Sequence, residues 1–289
     1  MNNTNLQVRV LTGTPVEMIH KAFTDAFSEY EVKLDMPLEK LVEMMKTRDL
    51  NPNYSVGCFD GEKLVGFILT GYRETDGQKV CYDGGTGVLK AYQRKGIGEM
   101  MLKELLQLLK GKGVSSFVLE VLENNTPAIN LYEKYGFAKT RKLECFEIEK
   151  EKLRPVPDRG FGISVVNPAK TVENEERYCL FTPTWQNEIR SVTNVRENYS
   201  LVTLSCTSRV LCYGYVHKTK GDIPQIGILE EWKNWGLEAH LIVELAKHAV
   251  SEKLVVLNVE EKNYLGESLR NLGFTNPVNQ WEMILEKFK

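Results

Sequence analysis

The stretch V-L-K-A-Y-Q-R-K-G-I-G-E-M-M-L-K-E-L-L-Q-L-L, residues 88–109, restricts this chain more than any other part of it. A β-branched, apolar run ends at Val88, a short loop follows, and from Gly96 the apolar residues recur at helical spacing. Ile97, Met101, Leu105 and Leu108 fall on one stripe, with Leu102, Leu106 and Leu109 beside it, and Gly111 and Gly113 end the run. A strand therefore feeds a helix through a turn carrying two glycines and two cations. The first turn of a helix presents unbonded N–H groups and the positive end of the helix dipole, which together attract an anion. Gly96 and Gly98 leave that backbone bare, and Arg94 and Lys95 add charge at its rim. A pyrophosphate suits the pattern; a tight turn with solvated cations explains the same residues. A Walker A loop is absent, and the dinucleotide fingerprint that would begin at Gly85 has Lys90 in place of its last glycine.

The neighbouring pattern predicts a mixed α/β domain. L-Q-V-R-V-L-T-G reads as a strand, residues 15–28 as an amphipathic helix, and M-P-L-E-K-L-V-E-M-M-K-T as a second helix. Two strands joined by a turn at Asp60-Gly61 follow, then K-V-C-Y-D-G-G-T-G-V as a third. After the glycine helix, S-F-V-L-E-V-L is a strand. N-N-T-P-A-I-N-L-Y-E-K-Y-G-F is a short helix with Thr126 as N-cap, Pro127 at the first helical position and Gly136 as stop. K-L-E-C-F-E-I-E-K closes this half. The proline- and glycine-rich residues 153–162 mark a boundary, which divides the 289 residues into domains 1–152 and 153–289.

Composition narrows the function classes. The net charge of −2 gives no hint of a nucleic-acid surface, and no apolar run approaches the ~20 residues of a membrane span. The N-terminus has no signal-peptide core. Six cysteines stand singly with no C-x-x-C pair, as expected of reduced thiols in a cytoplasmic protein, and the four histidines lack metal-ligand spacing. We expect no metal, no nucleic acid and no membrane partner, and a monomer or homodimer.

Two motifs in order resemble the GNAT superfamily of acyl-coenzyme A-dependent N-acyltransferases. The signature [RQ]-x-x-G-x-[GA] stands here as Gln93-x-x-Gly96-x-Gly98. N-x-x-A followed by L-Y-E-K-x-G-F stands as Asn125-x-x-Ala128 and residues 131–137. The resemblance covers about residues 6–150 and implies a mixed-sheet GNAT fold that takes acetyl-CoA. It implies that backbone at Arg94, Lys95, Gly96, Ile97 and Gly98, with Gln93, cradles the pyrophosphate. The pantetheine arm would meet the backbone of Val88 and Leu89, and Asn125 would steady it, although Asn also favours a helix cap or turn there.

Acetyl transfer to an amine needs a proton acceptor for the ammonium and a donor for the departing thiolate. By resemblance Tyr132 holds the position of that donor; packing the short helix on the sheet is its alternative role. Asp83 is the first choice as base and Glu120 the second, with bound water a third route. The family's acceptor site falls at F-S-E-Y-E-V-K-L-D, where Glu29 and Tyr30, beside Glu31 and Asp35, would suit a cationic amine. The expected function is an N-acetyltransferase acting on a small-molecule or peptide amine; the alternative is a non-catalytic acyl-CoA-binding or regulatory protein on the same fold.

The second half repeats the first. Aligning Gly96 with Gly236, 140 positions later (236 − 96), sets G-V-L-K-A-Y-Q-R-K-G-I-G-E-M-M-L over G-I-L-E-E-W-K-N-W-G-L-E-A-H-L-I. L-V-V-L-N-V and S-L-R-N-L-G-F answer S-F-V-L-E-V and L-Y-E-K-Y-G-F, so a tandem GNAT repeat is expected. Its chemistry is altered: Glu238 replaces Gly98, Lys233 replaces Gln93, and Leu269 replaces Tyr132. A degenerate second copy follows.

Overall fold

The computed structural model describes residues 6–28, 36–157, 159–166, 172, 175–178, 180–207, 209–233, 235–286 and 288. They form two compact units that are not consecutive pieces of chain. Unit 1 is Met1–Val121, Asn125–Thr140 and Glu282–Lys289, and unit 2 is Leu122–Asn124 and Arg141–Trp281.

Unit 1 runs β1 (Leu6–Val10), α1 (Val16–Phe27), α2 (Leu38–Thr47), β2 (Val56–Asp60), β3 (Lys63–Thr75), β4 (Gln78–Val88), α3 (Ile97–Gly111), β5 (Ser116–Leu122) and α4 (Thr126–Lys134). β1 to β4 are antiparallel neighbours and β5 lies parallel to β4. Between β2 and β3, Asp60 pairs with Lys63, so the two-residue turn is Gly61-Glu62, with Gly61 at φ 59°. Adjacent strand residues point to opposite faces, which puts helices on both sides of this sheet. Phe67 and Leu69 pack with Ile19, Phe23 and Leu41 from α1 and α2. Gly66, on the other face, lies under α3, where an added Cβ would fall 3.1 Å from Met101 Cε. Ile97, Met101, Leu102, Leu105 and Leu109 form the buried stripe of α3, each worth roughly 1.5–3 kcal/mol of burial.

Two features of β4 shape the site. The β3–β4 register shifts between Leu69 (opposite Gly85) and Thr70 (opposite Asp83), which leaves Gly84 as the extra residue of a bulge. β4 and β5 pair only from Val80–Ser116 to Tyr82–Val118. Beyond that point the two strands separate.

The strand after α4 is β6 (Ala138–Glu149), and from Arg141 it belongs to unit 2 rather than closing the first half. β7 (Gly162–Val166), the short α5 (Ile189–Thr193), β8 (Tyr199–Cys206), β9 (Arg209–His217), β10 (Gln225–Ile228), α6 (Leu237–Lys247), β11 (Lys253–Glu260), α7 (Tyr264–Leu272) and β12 (Thr275–Leu285) complete the chain. β10-β9-β8-β7 is an antiparallel sheet, and β6 pairs antiparallel with β11. Leu237, Leu241 and Leu245 of α6 enter a core with Leu204, Leu211, Phe146, Ile148 and Leu254. β12 begins in unit 2 beside β6 and ends in unit 1, where residues 282–285 lie beyond β5. Among the described residues no helix is long and apolar enough to cross a membrane.

Candidate active site

The glycine turn has the geometry its sequence suggests. Arg94 (φ 60°) and Gly96 (φ 76°) both adopt left-handed backbone, and Gly96 caps α3. Met100 N–H closes onto Gly96 O at 3.0 Å, so the N–H groups ahead of it in the first turn have no preceding helical carbonyl to bond. A Cβ at Gly98 would meet nothing within 4 Å. Glycine mid-turn costs about 1 kcal/mol against alanine, and no internal contact here requires it. What it keeps open is the space in front of the helix end. Glu99, the acidic residue of that turn, is drawn toward α4 by Lys134 Nζ at 2.5 Å and Tyr135 OH at 3.1 Å. Lys95 Nζ lies 5.0 Å from the Tyr92 ring centroid, and Gln93 Nε2 donates to Val88 O at 3.1 Å. Leu89 N–H is bonded to Val65 O at 2.9 Å.

Asn125, not Thr126, is the N-cap of α4: its side-chain oxygen accepts Ala128 N–H at 3.3 Å. Both residues are good caps, and Pro127 at the second helical position is as acceptable as at the first, because its missing N–H is one of the unbonded ones. The cap uses the carbonyl of the Asn125 amide, so its NH2 group is not the capping atom.

Where β4 leaves β5, Asp83 and Tyr132 meet. Tyr132 OH donates to Asp83 Oδ2 at 3.1 Å, and Thr86 Oγ1 donates to the same oxygen at 2.7 Å. Gly85 N–H donates to Asp83 Oδ1 at 3.0 Å. Burial pushes the Asp83 carboxyl above its usual range, against the opposing pull of these three bonds and the Arg48 charge. Burial, followed by the adjacent Asp83 charge, holds the Tyr132 phenol well above its usual range. Tyr132 also packs on Phe137, ring centroids 5.4 Å apart, so the packing role exists beside the hydrogen bond.

Glu120 is not part of that pair. Its Oε2 accepts Tyr82 OH at 2.5 Å across the diverging strands, and Tyr82 is buried. Arg48, Thr86 and Tyr82 are absent from the sequence reading. Thr86 could have been found, three residues after Asp83 on a strand kinked by glycines; Arg48 and Tyr82 carry no motif. Glu29, Tyr30, Glu31 and Asp35 lie outside the described residues. Among the described residues no cluster of three or more His, Cys, Asp or Glu could hold a metal ion.

Unit 2 has the same framework with its openings filled. Gly236 caps α6 at φ 70°, as Gly96 caps α3. Next to it Glu238 is buried, accepting Tyr264 OH at 2.9 Å and Ser268 Oγ at 2.7 Å on Oε1. Asp222, ahead of β10, forms an isolated parallel bridge with Val255 of β11. Asn187 links β10 to β11: its Nδ2 donates to Leu257 O at 2.7 Å, and its backbone carbonyl accepts Gln225 Nε2 at 2.8 Å.

Residues 16–137 match the Acetyltransferase (GNAT) family. The mycothiol acetyltransferase of Corynebacterium glutamicum (strain R) is 32% identical over 89 residues, 31% of this chain and 30% of that protein. A probable spermine N(1)-acetyltransferase of Bacillus subtilis subsp. natto is 35% identical over 97 residues, 31% of this chain and 62% of that protein. The chain thus spans less than a third of the length of the first relative and under two thirds of the second. Among solved structures, a tandem GNAT protein from the clavulanic acid biosynthesis pathway superposes with a TM-score of 0.70 at 14% identity, covering 98% of each chain. At that identity the likeness is one of fold. Residues 16–137 thus resemble the acetyltransferase (GNAT) family, and the chain as a whole shares the fold of a tandem GNAT protein.

Proposed function

We propose that the protein is an acetyl-CoA-dependent N-acetyltransferase whose active site lies in unit 1 and whose acceptor is a primary amine of a small molecule or peptide. The observation that carries this reading is the Tyr132–Asp83 hydrogen bond at the separation of β4 and β5. The open first turn of α3 supports it, and so do the relatives, which are named as acetyltransferases. Acetyl-CoA supplies the thioester. The backbone of 94–98, with Gln93, would hold its pyrophosphate, the backbone of Val88 and Leu89 would meet its arm, and the Asn125 amide would steady that arm. Because Gln93 donates to Val88 O, it would have to give up that bond to any ligand group that uses the carbonyl.

The paired groups can carry one proton across the reaction. As the amine nitrogen bonds the acetyl carbon and the carbon–sulfur bond breaks, Asp83 takes the proton from nitrogen. Tyr132 gives its own to sulfur, and the Asp83–Tyr132 bond returns a proton to the phenolate. The raised Asp83 pKa makes it a better base than an exposed aspartate. Neutralising Asp83 removes the charge that holds the Tyr132 proton, so the two transfers assist each other. Glu120 remains the second base candidate, reached through Tyr82. Among the described residues Cys58, Cys81, Cys145, Cys206 and Cys212 form no disulfide, which supports a cytoplasmic setting.

The test is release of coenzyme A thiol from acetyl-CoA in the presence of polyamines, aminoglycosides, amino acids and peptide N-termini. Amine-dependent release is expected with at least one class. Tight acetyl-CoA binding without release by any of them favours a binding or regulatory protein instead.

A further inference from the structure

Arg48 follows α2 and belongs to no motif, yet it reaches the centre of the site. Its Nη1 donates to Gly84 O, the carbonyl of the bulge residue, at 2.8 Å. Gly84 directly follows Asp83, and an added Cβ there would fall 2.3 Å from Leu50 Cδ2, so the end of α2 bears closely on the bulge. The segment carrying Arg48 is fixed to β3. Asn51 N–H bonds Thr70 O at 2.8 Å, Tyr72 N–H bonds Asp49 O at 3.1 Å, and Arg73 Nε pairs with Asp49 Oδ2 at 2.7 Å. We propose that Arg48 is a positioning residue for the transfer: its guanidinium holds the Gly84 carbonyl so that the bulge presents the Asp83 carboxylate to the Tyr132 hydroxyl. The inference rests on the proton-transfer role given to that pair.

The contact has an electrostatic side as well. Facing Asp83 are Thr86 and Tyr82 from β4, Tyr132 from α4, Arg48 from the end of α2 and, through Tyr82, Glu120 from β5. Arg48 is the cation of that set. It draws the proton affinity of Asp83 down against burial and does the same to Tyr82. Removing its charge therefore raises the Asp83 pKa further. The acid limb of turnover, which requires ionised Asp83, then moves to higher pH.

The experiment titrates the Asp83 carboxyl in the full chain by carbon-13 NMR and measures turnover with acetyl-CoA and spermine as the probe amine. In Arg48→Gln the Asp83 midpoint should rise, since the guanidinium charge that draws it down is gone. Turnover should fall about tenfold or more with KM for acetyl-CoA unchanged, because a reacting group is displaced while the cofactor cradle is not. Arg48→Lys keeps the charge and loses the fork; its midpoint should match the parent and its kcat fall between the two. A folded Arg48→Gln with the parent's midpoint and kcat overturns the proposal. If Arg48→Gln does not fold, Arg48→Lys decides: intermediate kcat at unchanged KM supports the role, and parent kcat overturns it. Should spermine give no turnover, the NMR midpoint alone decides. Failure of the underlying reading looks different, as Asp83→Asn and Tyr132→Phe would then leave turnover unchanged.

Discussion

Gly98→Glu is expected to abolish acetyl-CoA binding without weakening the fold. The space around Gly98 accepts a Cβ with no contact inside 4 Å, and its backbone is ordinary helix. Glutamate is a better helix former than glycine, and a carboxylate in the first turn gains about 0.3–1 kcal/mol from the dipole. The thermal midpoint should hold or rise. Binding is another matter, since the new charge would stand where a pyrophosphate must rest; repulsion of about a few kcal/mol lowers affinity a hundredfold or more. Calorimetry on the parent should saturate at one equivalent of acetyl-CoA per chain, because unit 2 holds Glu238 at the matching position and Asn187 bonded to both β10 and β11. For the same reason Glu238→Gly alone should leave the stoichiometry at one. Undiminished binding by Gly98→Glu, or two equivalents in the parent, would mean the halves are wrongly assigned.

Tyr132→Phe should reduce kcat about a hundredfold while leaving acetyl-CoA affinity close to that of the parent. Only a hydroxyl is lost, and phenylalanine keeps the ring contact with Phe137. The variant carries a second signature. Tyr132 OH is one of the donors holding the Asp83 pKa down, so its loss raises that pKa and moves the acid limb of any residual activity upward. Steady-state rates across pH at saturating acetyl-CoA read both effects. Parent-like kcat would remove Tyr132 from the mechanism and leave it as a packing residue of α4.

The parts of the site legible in the sequence are those where chemistry demands a residue type at a fixed spacing. Bare backbone at a helix start requires glycine, so Gly96 and Gly98 announce themselves, and their structural echo at Gly236 does too. As candidates, Tyr132 was legible through the family resemblance and Asp83 through its place on the strand. The bond between them was not, since it joins positions 49 residues apart. Arg48 left no trace because a long side chain reaching one backbone carbonyl imposes no pattern on its neighbours. The destination of β6 and β12 was equally hidden: alternation of apolar residues identifies a strand and its buried face, not the strand it will lie beside. At Asn125-Thr126 two good caps stood side by side, and local propensity had nothing to choose between them.

That crossing of β6 and β12 governs how the molecule can be made. Unit 1 takes the last residues of the chain, including the buried Met283 and Leu285, beyond its β5 edge. Unit 2 takes Phe146 and Ile148 from β6. On a ribosome adding about 5–20 residues per second, the outer edge of β5 stays bare for roughly ten to thirty seconds before its closing strand emerges. An unpaired edge is a template for another chain, so nascent copies on one message are at risk of pairing with each other. A gene divided after residue 152 makes the exposure permanent: the first product lacks its closing strand, and the second lacks two large side chains of its core.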